Sequence, residues 1–214
     1  MCARRGFRMT RKFSEKRAVI ASHNSGKIHE ISKLLTPYQI VTVSASELGL
    51  PEPEENGQTF IENAEIKART SAKGSGLVAI ADDSGLVIPA LGGDPGIYSA
   101  RWAVGSDGKG GNFSYAIKKI KTSLKRTCAT TEDHKAYFVC ALSLCWPDDF
   151  IISFEGYVHG KLTFPARGNK GFGYDPIFLP ENHQLTFGEM DPIEKHKVSH
   201  RADAFKKLAG HCFN

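Results

Sequence analysis

No apolar run in the 214-residue sequence approaches the ~20 residues that a helix needs to cross a bilayer. That absence predicts a soluble protein. The five cysteines are odd in number, contain no C-x-x-C, and have no histidines at zinc-ligand spacing. Neither a zinc site nor a disulfide framework is indicated, and a reduced, cytoplasmic protein is expected. Cys140 and Cys145 fall in the apolar run "AYFVCALSLCW", where a thiol acts as a small hydrophobe. Internal repeats and low-complexity segments are also missing.

Acid is scarce at the N-terminus. Residues 1–17 hold seven bases and only Glu15 as an acid, a net +6 against +5 for the whole chain, which leaves everything after them at −1. A nucleic-acid groove would spread its positive charge over the folded body, so no nucleic-acid partner is expected. Residues 1–16 read as a basic, disordered extension and 17–214 as one domain, with Met9 an alternative start. The extension lacks the long apolar core of a secretory signal. Hydrophobic and charged contents of 41% and 24% are those of an ordinary globular domain large enough to bury a core.

"RAVIA" (17–21) predicts a buried strand, and "IHEISKLL", with apolar residues at helical spacing, predicts a helix that Pro37 ends. "QIVTVSA" (39–45) reads as the next strand. "TFIENAEIKARTSAK" (59–73) reads as a helix opened by a Thr59/Glu62 capping box. "LVAIA" (77–81) predicts a second buried strand, ending at two aspartates. "KAYFVCALSLCW" and "FIISFEGYVHG" predict an antiparallel hairpin turning at Pro147-Asp148-Asp149. A helix closes the chain. The class is α/β with both parallel and antiparallel strands.

Polar loops sit where such a fold binds ligands. "SHNSGK" (22–27) joins strand to helix, so its backbone N–H groups, the helix N-terminus and Lys27 can receive an anion. It is no Walker loop, because Ala21 stands at the first glycine position and Ile28 follows the lysine. In "ADDSG" (81–85) the chain is either turning a corner or holding a cation. Successive strand side chains alternate faces, so Asp82 and Asp83 reach one site only through a bend, which Ser84-Gly85 is expected to supply. If strands 17–21 and 77–81 are parallel neighbours, Asp83 and Lys27 share the crevice at their carboxyl ends. Glu54 and Glu55 add carboxylates suited to Mg²⁺ beside phosphate. Asn63 and Lys67 share one helix face aimed at that crevice. "GFGYDP" (171–176) offers aromatics for stacking. Lys195, His200 and Arg201 in "EKHKVSHR" are donors suited to a 6-oxopurine and hostile to a 6-amino group.

The set "SHNSGKIHEISKLL", "EENGQTFIENAEIKA", "ADDSGLVIPALGGDPGIYSARW", "GFGYDPIF" and "SHRADAFKKL", in this order over residues 18–208, resembles the inosine triphosphate pyrophosphatase family of house-cleaning enzymes. The resemblance implies an elongated mixed sheet flanked by helices, with two lobes around a central cleft, in a homodimer. It implies Mg²⁺-dependent hydrolysis of ITP, dITP and XTP to monophosphate and pyrophosphate, which keeps these nucleotides out of DNA and RNA. By motif, Ser22, His23, Asn24, Ser25, Gly26 and Lys27 form the triphosphate loop. Asp83 is general base and metal ligand, with Glu54 or Glu55 as the second metal carboxylate, and Lys27 assists catalysis. Ser84, Phe172, Gly173, Tyr174, Asp175, Lys195, His200 and Arg201 contact substrate, with Asn63 and Lys67 as further phosphate support. The family's loop usually reads Thr-Gly-Asn, whereas this chain has Ser22-His23-Asn24. The expectation is that His23 is either strained at a positive φ or touches phosphate. Alternatives from other classes are a nucleotide sensor without turnover, a nucleic-acid binder using the basic tail, and a pyrophosphatase for modified pyrimidines.

Overall fold

A computed structural model describes residues 11–105, 108–127 and 134–213. Six strands form one sheet in the order β2-β1-β3-β4-β5-β6. Strand β1 (Arg17–Ile20) runs parallel to both β2 (Val41–Ser44) and β3 (Ala79–Val87). The predicted parallel neighbours are therefore present. From β3 onward the sheet is antiparallel, through β4 (Lys135–Cys145), β5 (Ile151–Leu162) and β6 (Phe178–Pro180). The β4–β5 hairpin turns where predicted, with Asp149 at φ 69°.

Side-chain alternation along β1 builds two layers. Ala18 and Ile20 pack under α1 (Ser25–Leu35) and α6 (His200–Cys212), together with Ile31, Leu35, Phe205 and Leu208. Val19 and Ala21 face α2 (Phe60–Ser75), whose Ala68 and Ala72 let the helix lie close. The α2 capping box forms as predicted, Thr59 Oγ1 accepting from the Glu62 N–H and Glu62 from the Thr59 N–H. A third core lies toward the other end, where Ile120 and Leu124 of α4 (Phe113–Arg126) meet Phe138 and Phe178. Short helices α3 (Ser99–Trp102) and α5 (Pro192–Val198) flank the space between. No helix among the described residues is long and apolar enough to cross a membrane.

Two expectations need correction. Strand β3 neither ends nor bends at the aspartates; Asp82 to Gly85 stay in register with Leu142 to Val139 of β4. Nor are residues 11–16 a loose extension. Phe13 packs on the core and donates its N–H to the Cys212 carbonyl (2.9 Å), while Glu15 accepts from Trp146 Nε1 (2.7 Å). Residues 1–10, with Cys2 and Met9, and Cys128 lie outside the described residues. Cys140, Cys145 and Cys212 are free and buried.

Candidate active site

Because β3 stays extended, its two aspartates serve opposite faces of the sheet. Asp82 turns to the α1/α6 side, where Oδ1 pairs with Lys27 Nζ (2.6 Å) and Oδ2 accepts from Arg201 Nε and Nη2 (3.1 and 2.9 Å). Burial pushes its carboxyl up, but Arg201, Lys27 and Lys67 together outweigh that and hold it well below the usual range. Asp83 turns to the α2 side. Its Oδ2 accepts from Asn63 Nδ2 (3.3 Å), and Oδ1 lies 3.4 Å from Lys67 Nζ. Here burial wins, and Asp83 is raised despite Lys67 and Lys27, with Glu55 and Asp82 adding repulsion.

Both faces open into one cleft of about 870 Å³. Of the residues proposed from sequence, His23, Ser25, Gly26 and Asn63 do not line it; the others do. Asn63 is fully buried and structural: besides holding Asp83, its Oδ1 accepts the Gly57 N–H (2.9 Å), anchoring the acidic loop. A Cβ at Gly57 would collide with the Asn63 and Glu62 side chains, so that close approach requires glycine. Lys67 bridges Glu55 and Asp83.

At the phosphate loop, Asn24 caps α1 by accepting the Lys27 N–H (3.1 Å), and no acid occupies the first turn. The helix end thus favours an anion. The strained backbone expected at His23 is not found, and the protein itself holds the ring. His23 is not among the positive-φ residues, and its ring points out of the cleft, Nε2 donating to the Leu50 carbonyl (3.1 Å) at the base of the acidic loop. His23 is a tether, exposed and replaceable. His23→Gly is expected to keep kcat/KM within about threefold, because an exposed hydrogen bond contributes only ~0.5–1 kcal/mol. A rate profile over pH 6–8 checks this, and loss of a histidine-shaped inflection in the variant would contradict it.

The opposite wall is a buried ion network. Lys195 Nζ bridges Asp175 Oδ2 (2.6 Å) and Glu30 Oε1 (3.1 Å); Arg201 pairs with Glu30 and donates to Ser84 Oγ (3.1 Å). Most donors of Lys195 and Arg201 are therefore already engaged with protein acceptors. Asp175 also accepts the Phe172 N–H (2.8 Å). Gly171, at φ +74°, could not carry a Cβ without striking that carboxylate. Phe172 offers its ring to the cleft beneath Lys195, 4.9 Å away. Tyr174, expected to stack on ligand, is instead 3% exposed and held edge-on to Phe113, with its hydroxyl donating to the Ser99 carbonyl (2.9 Å). His200 stacks on Phe138 (4.9 Å), and its buried Nδ1 has no partner. Burial, then Arg201 and Lys195, push its pKa well down, so the ring is neutral at pH 7.

Sequence reasoning missed Glu30 and Cys140, and left Asp82 without a role. Glu30 lies three residues from Lys27 on α1, a spacing that places both on one helix face. Cys140 Sγ donates to Asp82 Oδ2 (3.0 Å) from β4, where it faces Ser84 and stands two residues from Asp82's register partner Leu142.

Among the described residues, no three acidic, histidine or cysteine side chains converge as a metal cage. Asp83 and Glu55 do converge, since both reach the Lys67 ammonium. Two carboxylates facing a cleft fit Mg²⁺, which usually takes one or two from the protein and completes its shell with water and phosphate oxygens. Glu54 lines the cleft but is exposed.

Comparison with known proteins places the chain in a family. A profile of the Ham1 family matches residues 18–211. The chain belongs to the Ham1 family. It is 52% identical over 203 residues to a dITP/XTP pyrophosphatase of Rhodospirillum centenum, covering 95% of this chain and 98% of that one. A dITP/XTP pyrophosphatase of Zymomonas mobilis is 52% identical over 202 residues, 94% of each chain. The solved structure of a HAM1 protein from Coxiella burnetii superposes with a TM-score of 0.80 at 39% identity, covering 92% of this chain and 98% of that one. The mixed sheet with flanking helices is thus that of Ham1 proteins.

Proposed function

We propose that this Ham1 protein hydrolyses deaminated purine nucleoside triphosphates (ITP, dITP and XTP) to the monophosphate and pyrophosphate, with Mg²⁺ and as a homodimer. The observation that carries the reading is the facing of Asp83 and Glu55, bridged by Lys67, against the α1 phosphate loop across one cleft. Water attacks the α-phosphorus, the bond to the β-phosphate oxygen breaks, and pyrophosphate leaves. Asp83 takes the proton from the attacking water, a task suited to a carboxylate whose basicity burial has raised. Lys27 and the α1 N-terminus neutralise the departing phosphates. Bound Mg²⁺ supplies charge neutralisation of the phosphate oxygens.

The base lies against Phe172. His200, neutral and with an unpartnered buried nitrogen, donates to the 6-oxygen. The fixed charges of Arg201 and Lys195 disfavour a 6-amino group, which brings donors to donors. Incubating the protein with ITP, XTP, dITP, ATP and GTP, with and without Mg²⁺, tests the reading. Pyrophosphate should appear from the first three at about 10²-fold or more over ATP. Equal cleavage of ATP, or release of orthophosphate, would sink it.

A further inference from the structure

The residues from 18 onward sum to a net charge of −1, an average that argues against a nucleic-acid partner. The fold does not spread that charge evenly. Helix α4 carries Lys118, Lys119, Lys121, Lys125 and Arg126 and no acid. All five are exposed, and none has a carboxylate partner among the described residues. Lys118, Lys121 and Lys125 stand at i, i+3 and i+7, which makes one row about 10 Å long on the outer face of the helix. Lys119 and Arg126 flank that row.

The row weakens the helix that carries it. Like charges at i, i+3 and i, i+4 repel, as Lys118 does Lys121 and Lys121 does Lys125. Only Lys125 and Arg126, in the last turn, favour the helix dipole. An anion laid along the outer face removes the repulsion. Aromatic rings accompany the cations. Tyr115, one turn before Lys118 and Lys119 on the same face, is 46% exposed, and Lys119 Nζ lies 4.0 Å from the centroid of the Trp102 ring. Cations in a row beside an exposed ring suit a single strand, whose phosphates follow the charges while a base stacks on the ring. A membrane suits this helix poorly. Ala116, Ile120 and Leu124 are already buried in the core, so no apolar face is left to insert.

We propose that the outer face of α4 is a docking surface for single-stranded nucleic acid, with Lys118, Lys121, Lys125 and Arg126 on the phosphates and Tyr115 under a base. None of these residues lines the cleft, so a docked strand leaves the cleft open to nucleotides.

Fluorescence anisotropy of a labelled oligothymidylate of about 15 nucleotides tests this with the full chain. The wild type should bind at about 50 mM salt and release the strand as salt rises. Lys118→Gln/Lys121→Gln/Lys125→Gln should weaken binding by about tenfold or more and flatten the slope of log K against log salt by about two, at roughly 0.7 per phosphate contact on a single strand. Tyr115→Ala should weaken it about tenfold with the salt slope unchanged, the mark of a stacked base. Glutamine is a good helix former and relieves the repulsion, so neither ITP hydrolysis nor the melting temperature should fall. A wild-type chain that does not bind the strand overturns the proposal. So does binding that survives the α4 variant but is lost in Arg4→Gln/Arg5→Gln/Arg8→Gln, which assigns it to the N-terminal residues. The proposal also fails if Tyr115→Ala binds as wild type does, or if polyglutamate, phosphatidylserine vesicles or duplex DNA compete as well as unlabelled strand, since the face then reads charge alone.

Discussion

Asp83→Asn is expected to lower kcat for ITP by about 10³-fold or more, since it removes a general base worth ~10²–10⁴ together with a carboxylate facing the metal. The fold should hardly notice. Asparagine keeps the side chain's shape, Asn63 can still bond the remaining carbonyl oxygen, and Lys67 keeps Glu55. Burial raises Asp83 in the folded chain, so its ionised form is not a source of stability, and neutralising it offsets part of what Lys67 loses. A melting temperature within about 4 °C of wild type, with activity gone, separates chemistry from folding. Activity retained within tenfold would move the base elsewhere in the cleft.

Asp83 was visible in the sequence, but the reason for its placement was not. The motif suggested a bend that would bring both aspartates to one side. The strand instead stays straight because partners come to it: Lys67 and Asn63 from α2 to Asp83, Lys27 and Arg201 from α1 and α6 to Asp82. Local rules found what depends on neighbours in sequence, such as the Thr59 capping box, the switch from strand to helix around Ser22–Lys27, and the β4–β5 hairpin. They missed what depends on distant residues. Glu30 and Arg201 lie 171 positions apart, and Phe13 and Glu15 are held by Cys212 and Trp146. Tyr174 shows the same limit: an aromatic in a glycine-rich loop looks like a stacking platform until its hydroxyl is seen bound to Ser99.

Arg201→Met should cause the largest loss of stability. The guanidinium is 1% exposed and joins Asp82, Glu30 and Ser84. Methionine fills similar space but leaves the buried Asp82 and the partly buried Glu30 short of a cation, and breaking a buried pair typically costs ~3–5 kcal/mol. For a chain of this size that is a fall in melting temperature of roughly 6–20 °C at pH 7. The deficit should depend on pH, with a definite sign. Burial raises both acids, but for Asp82 the charges of Arg201, Lys27 and Lys67 prevail, and for Glu30 those of Arg201 and Lys195, so both are depressed in the folded chain. A depressed carboxylate stabilises above its unfolded pKa, ~4, and loses that contribution as pH falls through the folded value. The variant lacks most of this depression, so the gap to wild type should be widest near neutrality and narrow below about pH 4. Denaturant unfolding of both chains at pH 7 and pH 3.5 decides the matter. A gap equal at both pH values would mean that Arg201 stabilises through the packing of its stem, and that the charges of the network serve only to orient Lys27 and Ser84 at the cleft.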